Sequence, residues 1–584
     1  MMLQSLIAYA ERENLGDPDF ETVGVRWLIP LDRSGNLAGG PIPLAENPDD
    51  KKPKPKQILR PFTSSNELNQ GTKSHFLCDT LERATLWFDP KAADKAEARR
   101  MQHSYFKSLL MEASSACSSE AGRLGAVTAF LDNKEAVARL HQQFSQANAK
   151  SSDNTTFSVG GVRLLDLVPL KQFWRERRHR KIEGTSRSKR ICVATGEFTE
   201  TLDTTEKIKG IPGGLATGTN LISFDKDSFC SFGLEQAQNA ALSAPAELKI
   251  RSSLNQLIKK SREQKLVFND TVHLHWTRKP VEHDPFDLLA TADENAVAAL
   301  LKSIQAGQPP AAFDANAYYA LSLSGNGGRI VVRDWLESTV MEVERHVAEW
   351  FQDLGIVPPD GLGVKRDFKF GALLYGMVRA EFAELSPQLP TQLLHGALRG
   401  RSIPLPQSVL VAALRRQQLD QEDKLKPARL ALIKACLLRS PNLSTPNHQQ
   451  NEPMTECLNP ESGDRAYLCG RLFAVFDRLQ YLALGSVNAG VVERYYASAS
   501  VTPALVMGRL FRNAQFHLAK TEGGVAGNVS KDFEAITCAL GDKFPATLDL
   551  EGQGRFALGY YHQKAEYRRR TAERKEKEAV EAAK

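Results

Sequence analysis

Hydrophobic positions recur with two different periods along this chain, and the change from one to the other divides it. Leu3, Leu6, Ile7 and Ala10 fall three and four residues apart, so the spacing predicts a short amphipathic helix. Val23, Val25, Trp27 and Ile29 alternate instead, which predicts a half-buried strand ending near Pro30, before the turn Ser34-Gly35-Asn36. Residues 91–150, rich in Ala, Lys, Glu and Leu, read as helices. A strand is expected to start at Val162 in VRLLDLVPL, with others at Leu221–Phe224 and Val272–Trp276, and a helix over Ala246–Lys260. The clearest hairpin is YYALSLSGNGGRIVVRDW, Tyr318–Trp335, where two β-prone runs flank glycines that tolerate positive φ. Beyond Glu337 helical periodicity replaces alternation, as in RAYLCGRLFAVFDRLQYLAL from Arg465 and PALVMGRLFRNAQFHLAK from Pro503. Thr502 there is a candidate N-cap, with Pro503 at the first helical position. The expected fold is α+β: a mixed α/β part over residues 1–345, then an all-α helical bundle over 346–584. The tail from Arg568 reads as a charged helix that frays.

Composition narrows the class. A chain of 584 residues is too long for one ordinary core. Hydrophobic residues make up 42% and charged residues 25%, which are globular values. The net charge of +6 is small for this length, so an anion-binding surface must come from local clustering. The eight cysteines form no CxxC pair, which gives a structural zinc site little support and fits reduced thiols. The opening residues lack a basic n-region and no stretch is apolar for long enough to span a bilayer, so a soluble, cytoplasmic protein is expected.

Two segments invite a nucleic-acid reading. IKGIPGGLATGTNLISFD, Ile208–Asp225, is glycine-rich, but it precedes an apolar run rather than following a strand. Gly218 is followed by Thr219 and Asn220, not by the lysine and hydroxyl residue of a nucleotide-cradling loop. A plain surface loop is the simpler reading. Lys207 and Lys209 keep a second one open, because glycines let a backbone approach a phosphate closely. Upstream, WRERRHRKIEGTSRSKR (Trp174–Arg190) carries eight basic residues against Glu176 and Glu183. Arg175, Arg177, Arg178, Arg180 and Lys181 read either as a solvated helix face or as contacts to a nucleic-acid backbone.

Enzyme chemistry is harder to find. His273 and His275 alternate on an expected strand, but no HExxH-like spacing completes a metal site, and no GxSxG occurs. No catalytic residue, metal ligand or cofactor is assigned.

Several segments, in order from end to end, resemble one family. They are LGDPDFETVGVRWLI, GTKSHFLCDT, CVATGEF (Cys192–Phe198), IKGIPGGLATGTNLISFDKDSFCSFGLEQAQNA (Ile208–Ala240), RAYLCGRLFAVFDRLQ, ERYYASASVTP (Glu493–Pro503) and QGRFALGYYHQK (Gln553–Lys564). They resemble the large subunit of the type I-C CRISPR Cascade, the Cas-eight family of subtype c. One departure is plain: some relatives carry CxxC before the TGE segment, whereas here Lys189 stands opposite Cys192.

The resemblance implies a noncatalytic subunit of an RNA-guided antiviral surveillance complex. It implies recognition of the PAM in double-stranded DNA, help with duplex opening and R-loop formation, and recruitment of the helicase-nuclease. The implied partners are the backbone subunits carrying the CRISPR RNA, the subunit capping its 5′ end, a small subunit and target DNA, with no membrane. The resemblance also implies a small subunit supplied from the same gene, an internal start at Met454 being one candidate. Candidate PAM and duplex loops are Asn69, Gln70, Gly71, Thr72 and Lys73, and Lys207, Lys209, Gly213 and Gly214. In the helical part, which resembles the Cascade small subunit, Arg471 and Arg478 share a helical spacing and Arg509 and Arg512 lie three apart. These four are expected to line a single-strand path, with Tyr495, Tyr496, Tyr560 or Tyr561 either stacking on bases or packing in the core. A metal-dependent nuclease using the His273 and His275 region, and a structural scaffold, remain as alternatives.

Overall fold

The computed structural model describes residues 2–582 except 18, 50–52, 65, 66, 69, 89–95, 184–187, 225, 231, 282, 283, 306–315, 380–384, 387, 421–425, 442–452, 486, 522 and 523. It is α+β, and among the described residues every regular element after Thr339 is helical. The chain forms two compact units. One comprises Met1–Gly210, Leu215–Gln256 and Gly327–Arg329; the other comprises Ile211–Gly214, Leu257–Asn326 and Ile330–Lys584. The main division therefore falls between Gln256 and Leu257, while the change to all-helical structure comes near residue 340.

In the first unit, helix α1 (Met2–Arg12) buries Leu6 and Ala10. Strands β1 (Phe20–Val25), β2 (Trp27–Leu31), β3 (Ile42–Pro43), β4 (Lys56–Pro61), β5 (Cys78–Thr80), β6 (Asn154–Val159) and β7 (Val162–Arg163) follow. The alternation over Val23–Ile29 is not one strand but two. The chain breaks at Arg26, whose backbone N–H donates to Asn154 O (2.9 Å). The break lets β1 pair with β4 while β2 runs parallel to β6 in a sheet ordered β3-β2-β6-β5, with β7 beside β6. Pro30 lies within β2, one residue before the strand ends.

The expected strand in VRLLDLVPL is only β7. Leu164–Asp166 forms a tight turn, and α5 (Val168–Glu183) begins next, with Pro169 in its first turn. A proline there costs nothing, because first-turn N–H groups have no intrahelical acceptor. Leu164, Leu165 and Leu170 are buried, as their apolarity predicts.

Helices α2 (Ala96–Ala116), α3 (Ala121–Asp132) and α4 (Lys134–Gln146) occupy the segment read as helical. Asn133 caps α4 by accepting from the N–H groups of Glu135 and Ala136. Phe106, Val127, Phe130, Leu140 and Phe144 form one core with Ile29 and Phe157 of the sheet. Phe173 and Trp174 of α5 join it, Trp174 stacking on Phe76 with centroids 5.3 Å apart. Strands β8 (Lys189–Ile191) and β9 (Phe198–Glu200) form a separate hairpin. No strand forms over Leu221–Phe224; only Asn220 makes an isolated bridge, to Arg329. Helix α6 (Ala244–Glu263) runs from the first unit into the second.

In the second unit β10 (Val267–Phe268), β11 (Thr271–Thr277), β12 (Ala317–Asn326) and β13 (Arg329–Thr339) make a sheet in that order. Helix α7 is Pro285–Thr291 and α8 is Glu294–Gln305. The expected hairpin is β12–β13. Thr339 and Glu342 form a reciprocal capping box that starts α9 (Val340–Leu354) where the last strand stops. Then come α10 (Phe370–Gly376), α11 (Leu389–Leu398), α12 (Gln407–Leu419), α13 (Pro427–Leu438), α14 (Arg465–Leu484), α15 (Val491–Val501), α16 (Pro503–Leu518), α17 (Gly524–Leu540) and α18 (Leu550–Ala582). Thr502 occupies the N-cap position of α16, but its hydroxyl donates back to Ser498 O, so Pro503 rather than a cap bond marks the start.

Helices α14 and α18 cross closely because of two glycines. A methyl group on Gly470 would overlap Phe556 O, and one on Gly559 would overlap Tyr467 O. The obstacles are backbone carbonyls, which cannot rotate away. Around the crossing Phe473, Tyr496, Phe556 and Tyr560 meet mostly edge to face at 5.3–5.8 Å. Gly559→Ala should therefore cost about 3 kcal/mol through forced helix separation. The urea midpoint of the full chain is expected to fall with an unchanged slope; an unchanged midpoint would show that the crossing has slack.

Candidate nucleic-acid interface

Much of the glycine loop's backbone hydrogen bonding is internal to the chain. Ile208 and Thr219 close its base by exchanging backbone hydrogen bonds of 2.8 and 2.9 Å. The N–H of Gly214 donates to Ile211 O and that of Gly218 to Leu215 O. Gly325 at the end of β12 donates to Pro212 O at 2.7 Å, and a methyl group on Gly325 would overlap the Gly214 amide. Gly213 sits at φ +72°, a conformation that disfavours side chains. Farther along, Leu215 donates to Gly327 O and Asn220 to Gly328 O. A phosphate nest needs several convergent free N–H groups. Here the amides of 214, 215, 218, 219 and 220 are taken. The loop instead presents an exposed tip, Leu215–Thr217, with Lys209 exposed and Lys207 half-buried at its base.

The second candidate loop ends on buried structure. Gly71 (φ +79°) donates to Leu68 O, leaving Gln70 and Thr72 exposed. Asn69 lies outside the described residues. Lys73 is held with its ammonium 4.2 Å from the Tyr105 ring centroid. The His75 N–H donates to Asp79 Oδ2 (2.8 Å), which anchors the loop. Burial holds the His75 ring well below its ordinary pKa, and the charges of Arg60, Arg83 and Lys209 act in the same direction. Lys209 and the Gln70–Lys73 loop belong to the same compact unit.

The basic cluster on α5 is largely ion-paired. Arg175 is paired with Asp17 (2.8 Å) and Arg177 with Glu112 (2.9 Å). Arg178 pairs with the buried Asp19 (3.1 Å), donates to Phe62 O and lies 4.8 Å from the Phe62 ring, which Arg251 approaches at the same distance. Three guanidiniums are therefore clamps between elements. Arg180 is exposed without an ion pair among the described residues, and the Lys181 side chain lies outside them.

The helical candidates separate. Arg471 is 5% exposed; its Nε donates to Gln563 Oε1 and its Nη1 to the carbonyls of Asn459 and Pro460. It ties α14 to α18 and offers no strand path. Arg478, two turns on, is half-buried with its guanidinium 5.6 Å from the Tyr481 centroid. Arg509 and Arg512 are exposed on α16, in a stripe with Leu505 (81% exposed) and Phe516 (65%). Tyr496, Tyr560 and Tyr561 are buried in the core, so none is a stacking platform.

The histidines of β11 are also buried. His273 bonds Ser322 Oγ (2.8 Å), and burial pushes its pKa down to about 3, so the ring is neutral. His275 stacks on Phe286 and bonds Asp284 through Nδ1 (2.8 Å) and Gln264 Oε1 through Nε2 (3.2 Å). Gln264 in turn donates to Asp287 (2.6 Å). His275, Asp284 and Asp287 bring ligand-type atoms within 4.8 Å of one another. Asp284 follows the two histidines in sequence, and it reaches His275 as the N-cap of α7, with Asp287 in the first turn of that helix. Cys192 is buried. Burial acts to raise its thiol pKa, but hydrogen bonds from the Thr195 hydroxyl and the amides of Ser243, Ala194 and Thr195 outweigh it and bring the value to about 7.

No helix among the described residues is long and apolar enough to cross a membrane. A search of curated proteins found no match. A family model described as CRISPR-associated protein (Cas_Csd1) matches residues 6–568, from the first helix into the last. The chain therefore belongs to the Csd1 family of CRISPR-associated proteins.

Proposed function

We propose that this chain is the noncatalytic large subunit of a type I-C CRISPR surveillance complex. In this reading the part over 1–345 recognises the PAM and adjoining duplex and contacts the subunit at the 5′ end of the guide RNA. The helical part over 346–584 follows the displaced strand, and the whole works in the cytoplasm with CRISPR RNA-carrying subunits, a small subunit and a helicase-nuclease. Family membership supports the setting. The observation that carries the DNA reading is that Lys73 and Lys209 stand on two loops of one compact unit without an ion pair among the described residues, Lys209 exposed and Lys73 beside the Tyr105 ring. The α5 arginines contribute little net charge, because Asp17, Asp19 and Glu112 neutralise them. Duplex recognition by such loops joins phosphate contacts, which position, to a few contacts with base edges, which specify. Base pairing with the guide reads the long sequence.

A second reading, a metal-dependent nuclease, draws on the cluster of His275, Asp284 and Asp287. Against it, these groups already satisfy one another and Gln264. Incubating the pure chain with DNA and Mn2+ or Mg2+ separates the two readings. The proposal expects no cleavage; metal-dependent cleavage abolished by His275→Ala would establish the enzyme.

For the leading reading, the assembled complex is tested on a PAM-containing duplex with Lys73, Lys207 and Lys209 changed to Ala together. Affinity is expected to drop at least about tenfold, and the salt dependence should flatten by about one per lysine that meets a phosphate. Unchanged affinity and slope would remove these loops from the contact.

A further inference from the structure

The helical part holds a basic site that the candidate residues only touch. Two cavities of about 300 and 340 Å3 share Arg478, Tyr567 and Thr571 in their lining, along the second half of α18. The first is lined by Arg478, Asn528, Tyr567, Arg570, Arg574 and Lys577. The second is lined by Arg478, Lys564, Arg568, Thr571 and Lys575. On α18 these positions form two neighbouring stripes, 567/570/574/577 and 564/568/571/575, each at the three- and four-residue spacing that places side chains on one face. The segment reads in sequence as a fraying charged tail, but folding turns these two basic stripes toward Arg478.

Not all of this charge is available. Lys564 is paired with Asp477, Arg570 with Asp532 and Glu566, and Arg574 with Glu578. Glu573 also lines the first cavity. Arg478, Lys575 and Lys577 form no salt bridge among the described residues, and the Nε of Arg478 is buried with no hydrogen-bond partner. An unsatisfied buried guanidinium donor costs free energy unless something outside the chain accepts from it. The site thus has three uncommitted cations, an orphaned donor, and the hydroxyl and amide of Thr571 and Asn528 beside them. Tyr481 adds a feature that an acidic peptide would not need. It is 57% exposed, with the Arg478 guanidinium near its ring. A cation beside an open aromatic face is how proteins hold single strands, since only unpaired bases expose a face to stack.

We propose that this site binds one unpaired nucleic-acid strand, its phosphates at Arg478, Lys575 and Lys577 and a base on Tyr481. The assignment rests on the reading that the helical part follows a displaced strand, and it places that path on α14 and α18. The test uses the full-length chain and a fluorescent 20-nucleotide oligo-dT probe, which contains no PAM. Arg478→Gln with Lys575→Gln and Lys577→Gln should weaken probe binding about tenfold or more, and Tyr481→Leu about fivefold, with unchanged melting temperatures. Probe affinity unaltered in both variants would overturn the proposal. So would displacement of the probe by micromolar pyrophosphate, which would indicate a small phosphate ligand. Loss of oligo-glutamate binding with oligo-dT binding retained would indicate an acidic protein partner and overturn it as well. In the assembled complex the same variants should still select PAM-containing duplex. A failure of PAM reading by the Lys73, Lys207 and Lys209 loops would leave the oligo-dT result untouched.

Discussion

Backbone approaches closer than a methyl group allows set much of this molecule. Gly325 against Gly214 fixes the glycine loop, and Gly470 with Gly559 fixes the crossing of α14 and α18. In each case the neighbour is main chain, so no rotamer change relieves a larger residue. The first approach turns a segment that sequence alone would leave as a pliable loop into a platform with its amides engaged. The second brings α18 against α14, and with it the basic second half of the helix against Arg478.

Charge in this protein is spent in two ways, and only the fold separates them. On α5, arginines are paired with acids from distant segments and lock elements together. The helical part does the same, where the buried Asp353 takes the buried Arg439 and the exposed Arg401. Such pairs offer little to a phosphate. The candidate cations without an ion pair among the described residues are fewer: Lys73, Arg180, Lys207 and Lys209 in the first unit, and Arg478, Lys575 and Lys577 with the exposed Arg509 and Arg512 in the second. A net charge of +6 understates how local these groups are and overstates the α5 cluster.

Much of the fold was legible because it rests on periodicity. The β12–β13 hairpin and the long C-terminal helices follow their hydrophobic spacing, and α2, α3 and α4 follow the Ala-, Lys-, Glu- and Leu-rich composition of their segment. The errors occur where a long-range partner decides. The apolar run at Val162 became a turn and helix because Leu164, Leu165 and Leu170 reach the core without a strand partner. Leu221–Phe224 has no neighbour to pair with beyond one bridge. Site residues were less legible for the same reason. Arg471 and Arg478 lie seven apart on one helix, yet Gln563 and two carbonyls capture the first, while the second packs by a tyrosine ring and lines two cavities. The acids opposite α5 are likewise invisible in local sequence.

The central claim is that two sites on this one chain grip different forms of DNA. Site-specific photocrosslinking in the assembled, guide-loaded complex tests it most directly, with reactive groups in the PAM duplex and in the displaced strand. The account predicts duplex adducts at Gln70–Lys73 and Lys207–Thr217, and displaced-strand adducts near Tyr481 and Lys575. Adducts from both positions confined to other subunits would contradict it.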